Sequence, residues 1–169
     1  YLSTLFANRT IEKFYLGIVH GSMPEASGVI DAAIMEHPTV NGKMIIHQKQ
    51  GKPSITKFEV IENFGLYSLV QFSILTGRTH QIRVHMQHYG HSIVGDSVYG
   101  KADPIYISQL KKRFKLSKNE EEERPILHRL ALHASKLRFI KEDGSPLTVE
   151  CPLPKDMQAT VQQCRKWLR

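Results

Sequence analysis

Between Leu66 and Gly90 the apolar period of the chain changes from two to 3.6, and that change limits the fold more than any other feature. Leu66 to Leu75 reads as a strand, with Val70, Phe72 and Ile74 on one face. Four residues, Thr76-Gly-Arg-Thr79, then make a turn, with Thr79 placed to cap the next element. From Gln81 to Tyr89 the spacing of Ile82, His85, Met86 and Tyr89 is helical, and Gly90 is placed to end that helix. A strand running straight into a helix through so short a turn requires a sheet with a helix packed close to one strand end.

Other segments extend the pattern. Ile11 to Val19 is rich in β-branched and aromatic residues and reads as a strand, as does Ile55 to Ile61, with Thr56, Phe58 and Val60 on one face. Gly21 to Gly28 reads as a loop. The Gly-punctuated stretch from Pro38 to Pro53 reads as an excursion or hairpin centred on Met44-Ile45-Ile46. Pro104 to Leu116 is predicted to be a helix bearing Lys111, Lys112, Arg113 and Lys115, followed by an acidic loop at Glu120 to Glu123 that offsets part of that charge. A strand centred on Leu137 and Phe139, an Asp143-Gly144 turn and a return strand through Leu147 and Val149 make a hairpin. Asp156 is the expected N-cap of a closing amphipathic helix with Met157, Val161, Cys164 and Leu168 as its stripe. The sum is an α+β fold: a mixed, mainly antiparallel sheet with flanking helices. Its 169 residues fit one domain.

Tyr1 to Phe6 reads as the end of an amphipathic helix already running, which suggests a chain that begins inside a longer protein. The net charge of +7 favours a polyanionic partner, though modestly. Cys151 and Cys164 lack CxxC spacing, and Cys164 falls on an apolar stripe, so a reduced thiol is expected. No apolar run approaches a membrane span and no signal peptide is visible, so no membrane is expected and a cytoplasmic location is.

The polar residues gather at Thr76-Gly-Arg-Thr-His-Gln-Ile-Arg-Val-His85. At a helix start, Arg78 can meet a phosphate, while Arg83, one turn in, points elsewhere and can hold a carboxylate in a bidentate pair. A metal enzyme is a poor fit. His80, His85, His88 and His91 do not have the spacing of His-Glu-x-x-His, and no acidic ligand is close in sequence.

The run LVQFSILTGRTHQIRVHMQHYGHSIVGDSVYG, Leu69 to Gly100, closely resembles the signature of the RluA-type RNA pseudouridine synthases. Three further segments resemble that family in its order: Lys13-Phe-Tyr15-Leu-Gly-Ile-Val-His-Gly21, Arg129-Leu-Ala-Leu-His-Ala134 with Leu137 and Phe139, and Glu150-Cys-Pro-Leu-Pro154. The resemblance implies the C-terminal part of a pseudouridine synthase catalytic domain spanning residues 1–169. Such enzymes break the N-glycosidic bond of a uridine in RNA, rotate the base and rejoin it through carbon, without cofactor or metal. The target base is flipped from its stack. Large-subunit ribosomal RNA is the expected substrate ahead of transfer RNA, on family frequency alone.

Residue by residue, Tyr15 matches the tyrosine that stacks on the uracil, and Arg83 the arginine that pairs with the catalytic aspartate. Ile82 matches the aliphatic residue beside the pocket. Arg78, His80 and Gln81 belong to the motif and are candidates for substrate binding through support or positioning. The family's His-Arg-Leu-Asp motif precedes the tyrosine by about thirty residues, a span that Tyr15 does not leave. His128-Arg-Leu-Ala131 resembles it only by coincidence, and Asp96 reads as structural. This chain alone is therefore expected to be inactive. Arg83 is expected to lack the family's partner and to face water, bind an anion or find a substitute. A rival reading is an RNA-binding module that keeps the scaffold without the chemistry.

Overall fold

The computed structural model describes residues 11–116 and 122–168. Six strands form one antiparallel sheet in the order β2-β5-β6-β1-β7-β8, made of β1 (Glu12–His20), β2 (Ser27–Asp31), β5 (Ile55–Asn63), β6 (Tyr67–Ile74), β7 (Leu132–Ile140) and β8 (Pro146–Glu150). A hairpin of β3 (Ile34–Glu36) and β4 (Met44–Ile46) stands beside it. The helices are α1 (Gln81–His88), a single turn α2 (Ile107–Leu110) and α3 (Lys155–Trp167). The fold is α+β with a mainly antiparallel sheet, as the sequence predicts, and every strand pairing among the described residues is antiparallel.

The register explains how the site is assembled. Tyr15 of β1 lies opposite Phe72 of β6, which lies opposite Phe58 of β5. Alternation along the pleat puts Tyr15, Phe72, Ile74, Thr56 and Phe58 on one sheet face. Ile82 and Met86 of α1 join Phe58, Phe72 and Ile74 in the core cluster, and Tyr15 packs against its margin. Met157, Val161 and Cys164 of α3 belong to the same cluster, as their stripe predicts, and the Cys164 thiol is buried and free.

Several readings of the sequence need correction. Ser27 and Gly28, read as loop, begin β2, because β5 offers them an antiparallel partner from Ser27 opposite Glu59 onward. The predicted helix over 104–116 is only the turn Ile107–Leu110, and Lys111 is already extended. Past Leu110 the run Lys-Lys-Arg-Phe-Lys has no apolar stripe to bury, and its like charges repel one another. Thr79 is not the cap of α1; His80 holds that position in a left-handed conformation. Pro154 takes the N-cap position of α3, so Asp156 sits inside the first turn. There it accepts from the Met157 N–H at 2.8 Å and receives Arg129 along both oxygens at 2.7 Å. A carboxylate in a first turn also faces the positive end of the helix. The reading of Tyr1 to Phe6 as helix, and of Glu120 and Glu121 as loop, lies outside the described residues.

Gly144 turns the β7–β8 hairpin at φ 81°, with nothing within 4 Å of where a Cβ would stand. Gly95 also has a positive φ, 71°, but a Cβ there would collide with the Arg129 carbonyl oxygen. The two positions separate backbone strain from a steric clash. Gly144→Ala should cost about 1–2 kcal/mol, the ordinary penalty of a left-handed alanine. Gly95→Ala should cost clearly more, because the backbone at Arg129 and Leu130 must also move. Urea denaturation of both variants checks this, and equal losses would contradict the close approach at Gly95.

Candidate active site

The turn from β6 into α1 is held from inside by one side chain. Gln81 is 2% exposed. Its Oε1 accepts from Thr76 Oγ1 at 2.8 Å and from the Arg78 backbone N–H at 3.2 Å. Its Nε2 donates to the Ile55 carbonyl at 2.9 Å and to Thr56 Oγ1 at 3.1 Å. One turn on, fully buried His85 places Nδ1 2.8 Å from Thr56 Oγ1 and Nε2 2.9 Å from the Ala32 carbonyl. The carbonyl accepts only, so Nε2 carries the proton, and Nδ1 then accepts from the Thr56 hydroxyl. Every polar atom of this chain of groups is satisfied, and it fastens α1 to β5 and to the segment after β2. Gln81 and His85 therefore position the helix.

The opposite edge of α1 is fastened by charge. Arg83 donates from Nε to Asp96 Oδ2 and from Nη2 to Asp96 Oδ1, both at 2.8 Å. Asp96 is fully buried. Its Oδ1 also accepts the backbone N–H groups of Val98 and Tyr99 at 3.0 Å. Burial by itself would raise the Asp96 carboxyl, but the hydrogen bonds from Arg83, Tyr99 and Val98, with the guanidinium charge, outweigh it and hold the group below the usual carboxylate range. Arg83 thus finds its substitute carboxylate within the chain. The bidentate geometry expected of it is present, and the loop read as structural supplies the partner.

Tyr99 ties this pair to His80. The Arg83 guanidinium carbon lies 5.0 Å from the centre of the Tyr99 ring, and His80 meets that ring edge-on at 5.4 Å. Tyr99 Oη accepts from the Met44 N–H at 2.8 Å and lies 2.9 Å from His80 Nδ1. The buried phenol must place its own proton, and His80 Nδ1 is its available acceptor, so neutral His80 carries its hydrogen on Nε2. Burial, and then the Arg83 charge, push the His80 imidazole below its ordinary value, which keeps it neutral. His80 has φ 55° and is the one non-glycine residue with positive φ among the described residues. Such strain collects at functional sites.

His80, Gln81 and Arg83 belong to the wall of one cavity of about 150 Å³, lined by Tyr15, Ile74, Arg78, His80, Gln81, Ile82, Arg83 and Leu132. All six candidate site residues are in that lining. Cavities of about 150 Å³ admit a benzene-sized ring. Tyr15 and Ile82 supply apolar walls, and burial pushes the Tyr15 phenol up, so it is neutral at physiological pH. Arg78 Nε is buried and has no hydrogen-bond partner, an orphan donor in the wall. No carboxylate lines the cavity among the described residues. A larger open groove of about 590 Å³ includes Phe14, Lys57, Gln71 and Ser73, which alternate with Tyr15, Phe72 and Ile74 along the pleat. It therefore lies across the sheet and, among the described residues, contains no arginine or histidine. Among the described residues no group of three or more His, Cys, Asp or Glu stands where it could hold a metal ion. No described helix is long and apolar enough to cross a membrane.

Comparison with known proteins identifies the family. The family model described as RNA pseudouridylate synthase matches residues 1–88. An uncharacterized RNA pseudouridine synthase of Chlorobaculum parvum is 40% identical over 97% of this chain and 50% of its own length. The chain belongs to the RluA-type RNA pseudouridine synthase family. Ribosomal large subunit pseudouridine synthase D of Escherichia coli is 34% identical over 93% of this chain and 46% of its own length. The solved structure of human RNA pseudouridylate synthase domain containing 1 is 31% identical, with a TM-score of 0.66 over 96% of this chain and 69% of that one. The chain thus spans about half the length of these curated relatives.

Two partners were not visible in the sequence of this pseudouridine synthase motif. Asp96 lies thirteen residues beyond Arg83, and Tyr99 nineteen beyond His80. The Gly-Asp-x-x-Tyr-Gly spacing was the available signal, since an aspartate before a turn can accept the amides two and three residues on.

The buried histidines give the stability a pH dependence. Burial holds His85 below its ordinary value of 6.5. Below that value the unfolded chain binds a proton that the folded chain refuses, so stability is full above pH 6.5 and falls as pH drops below it. Urea midpoints should decline between pH 7 and pH 5, and His85→Gln should flatten part of that decline. A variant with the same slope as the wild type would contradict a neutral, buried His85.

Proposed function

We propose that this chain is the C-terminal part of a catalytic domain that isomerises uridine to pseudouridine in RNA. The observation that carries the reading is the convergence of Tyr15, Ile82 and Arg83, with Arg78 and His80, on one ring-sized cavity. An everted uracil would stack on Tyr15 against Ile82, at an unstacking cost of a few kcal/mol. The neutral phenol suits stacking, and a proton leaving C5 of the base could pass through it. Arg78, with its orphan donor, suits a nucleotide phosphate. The glycosidic bond to N1 breaks, the base turns within the cavity, a bond from C5 to the sugar forms, the C5 proton is lost, and N1 takes up a proton, so the product is an isomer of uridine.

The reaction needs a carboxylate at the sugar. Asp96 is fully buried and engaged with Arg83, Val98 and Tyr99, so it does not fill that role. Arg83 Nη1 makes no hydrogen bond among the described residues, and this free edge suits the incoming carboxylate of the rest of the domain. Residues 1–169 by themselves are therefore proposed to be inactive. Ribosomal RNA is the proposed substrate class, supported by the names of the large-subunit synthases that the chain resembles. A cytoplasmic location stays part of the proposal, in keeping with the free thiols Cys151 and Cys164. The alternative, an RNA-binding module without chemistry, draws on the lack of a carboxylate in the described lining. It holds if no acidic residue of the complete gene product other than Asp96 reaches Arg83 at its Nη1 edge.

Pseudouridine mapping in cells carrying variants of the complete gene product tests the reading. Tyr15→Leu and Arg83→Lys should each lower pseudouridine at the target site by about 100-fold or more. Lysine keeps the charge beside Asp96 but lacks the planar fork. Unchanged modification in both variants would remove the cavity from the reaction. The isolated 169-residue chain should form no pseudouridine in ribosomal RNA. Product from it would place a nucleophile among these residues and overturn the proposed division of labour.

A further inference from the structure

Asp96 holds two atoms of Arg83, and the turn it begins holds the ring that fixes His80. We infer that Asp96 is a positioning residue for the proposed uridine reaction: its carboxylate sets the plane of the Arg83 guanidinium so that the Nη1 edge is presented to the cavity. The inference rests on the proposed pseudouridine synthase reading.

The geometry separates this role from mere support of the loop. Oδ1 serves the turn, accepting the N–H groups of Val98 and Tyr99 as well as Arg83 Nη2. Among the described residues Oδ2 serves only Arg83, accepting from Nε. Two parallel bonds fix a planar fork about both its axes, whereas one bond would leave it free to swing. With Nε and Nη2 consumed, the donors left for a second anion are those on Nη1 and the outer hydrogen of Nη2. Tyr99 lies under the same guanidinium and donates its hydroxyl proton to His80 Nδ1. One turn, 96–99, therefore orients two cavity groups that α1 alone would leave to rotamer choice. Gly95 lets this turn approach Arg129 so closely that no side chain fits between them.

Asp96→Asn divides the two roles. The amide oxygen can keep the Val98 and Tyr99 bonds, but the amide nitrogen then faces the Arg83 Nε–H, donor against donor. Steady-state kinetics of the complete gene product on its RNA substrate should show kcat reduced about 10- to 100-fold, as small misplacements of a reacting group do. KM should stay within about twofold, because RNA affinity is spread over many phosphate contacts. The Arg83 Nε–H resonance in the NMR spectrum should be protected from exchange in the wild type and exchange fast in the variant. Asp143→Asn, in the exposed β7–β8 turn, should leave both readouts unchanged. A wild-type kcat in Asp96→Asn, or a loss confined to KM, overturns the inference. A wild-type protein that makes no pseudouridine overturns the synthase reading and the positioning role with it, an outcome distinct from an impaired variant beside an active parent.

Discussion

The ion pair between Arg83 and Asp96 is the constraint on which the site depends. A buried carboxylate is costly unless its charge is matched and its lone pairs are filled. Asp96 meets both conditions with four hydrogen bonds, two from the guanidinium and two from backbone amides. Removing one member of such a pair costs about 3–5 kcal/mol, largely because the other is left buried and uncompensated. Retaining the pair is therefore a commitment: the loop 93–100 and helix α1 cannot separate without leaving each charge without its partner. In return the arginine has a defined plane at the edge of a small cavity.

The other edge of α1 is fixed without net charge. Gln81, Thr56 and His85 form a directed series of hydrogen bonds that ends on the Ala32 carbonyl, all within the core. Fully satisfied polar networks of this kind specify one arrangement where an apolar core would tolerate several. Helix α1 is short, only Gln81–His88, and a helix of that length has little stability of its own. Its place comes from these anchors and from Ile82, Val84 and Met86, all buried. The strained backbone at His80 is the junction between the two anchoring systems, and it delivers one more donor to the cavity.

Much of this was legible in the sequence because it is local. Alternation of side chains identified β1, β5 and β6, helical spacing identified α1 and α3, and Asp143-Gly144 identified the β7–β8 turn. The bidentate capacity of Arg83 followed from its place one turn into the helix. What escaped depends on distant partners. β2 and β3 are short and form because β5 and β4 offer their edges. The stretch after Leu110 has good helix formers, yet it finds no surface on which to bury one. Thr79 has the chemistry of a cap, but the chain passes through a left-handed residue at His80 before the helix starts. Asp96 looked like an ordinary loop aspartate, since nothing local says that its carboxylate is reached by a side chain from α1.

The central claim is that Tyr15 and Arg83 face a cavity that takes an everted pyrimidine. A crystal structure of the complete gene product bound to its RNA substrate tests this most directly. The account predicts the target base stacked on the Tyr15 ring beside Ile82, with Arg83 Nη1 within hydrogen-bond distance, about 3 Å, of a carboxylate or phosphate oxygen. A target nucleotide seated instead in the groove across the sheet, against Phe14 and Gln71, would contradict it.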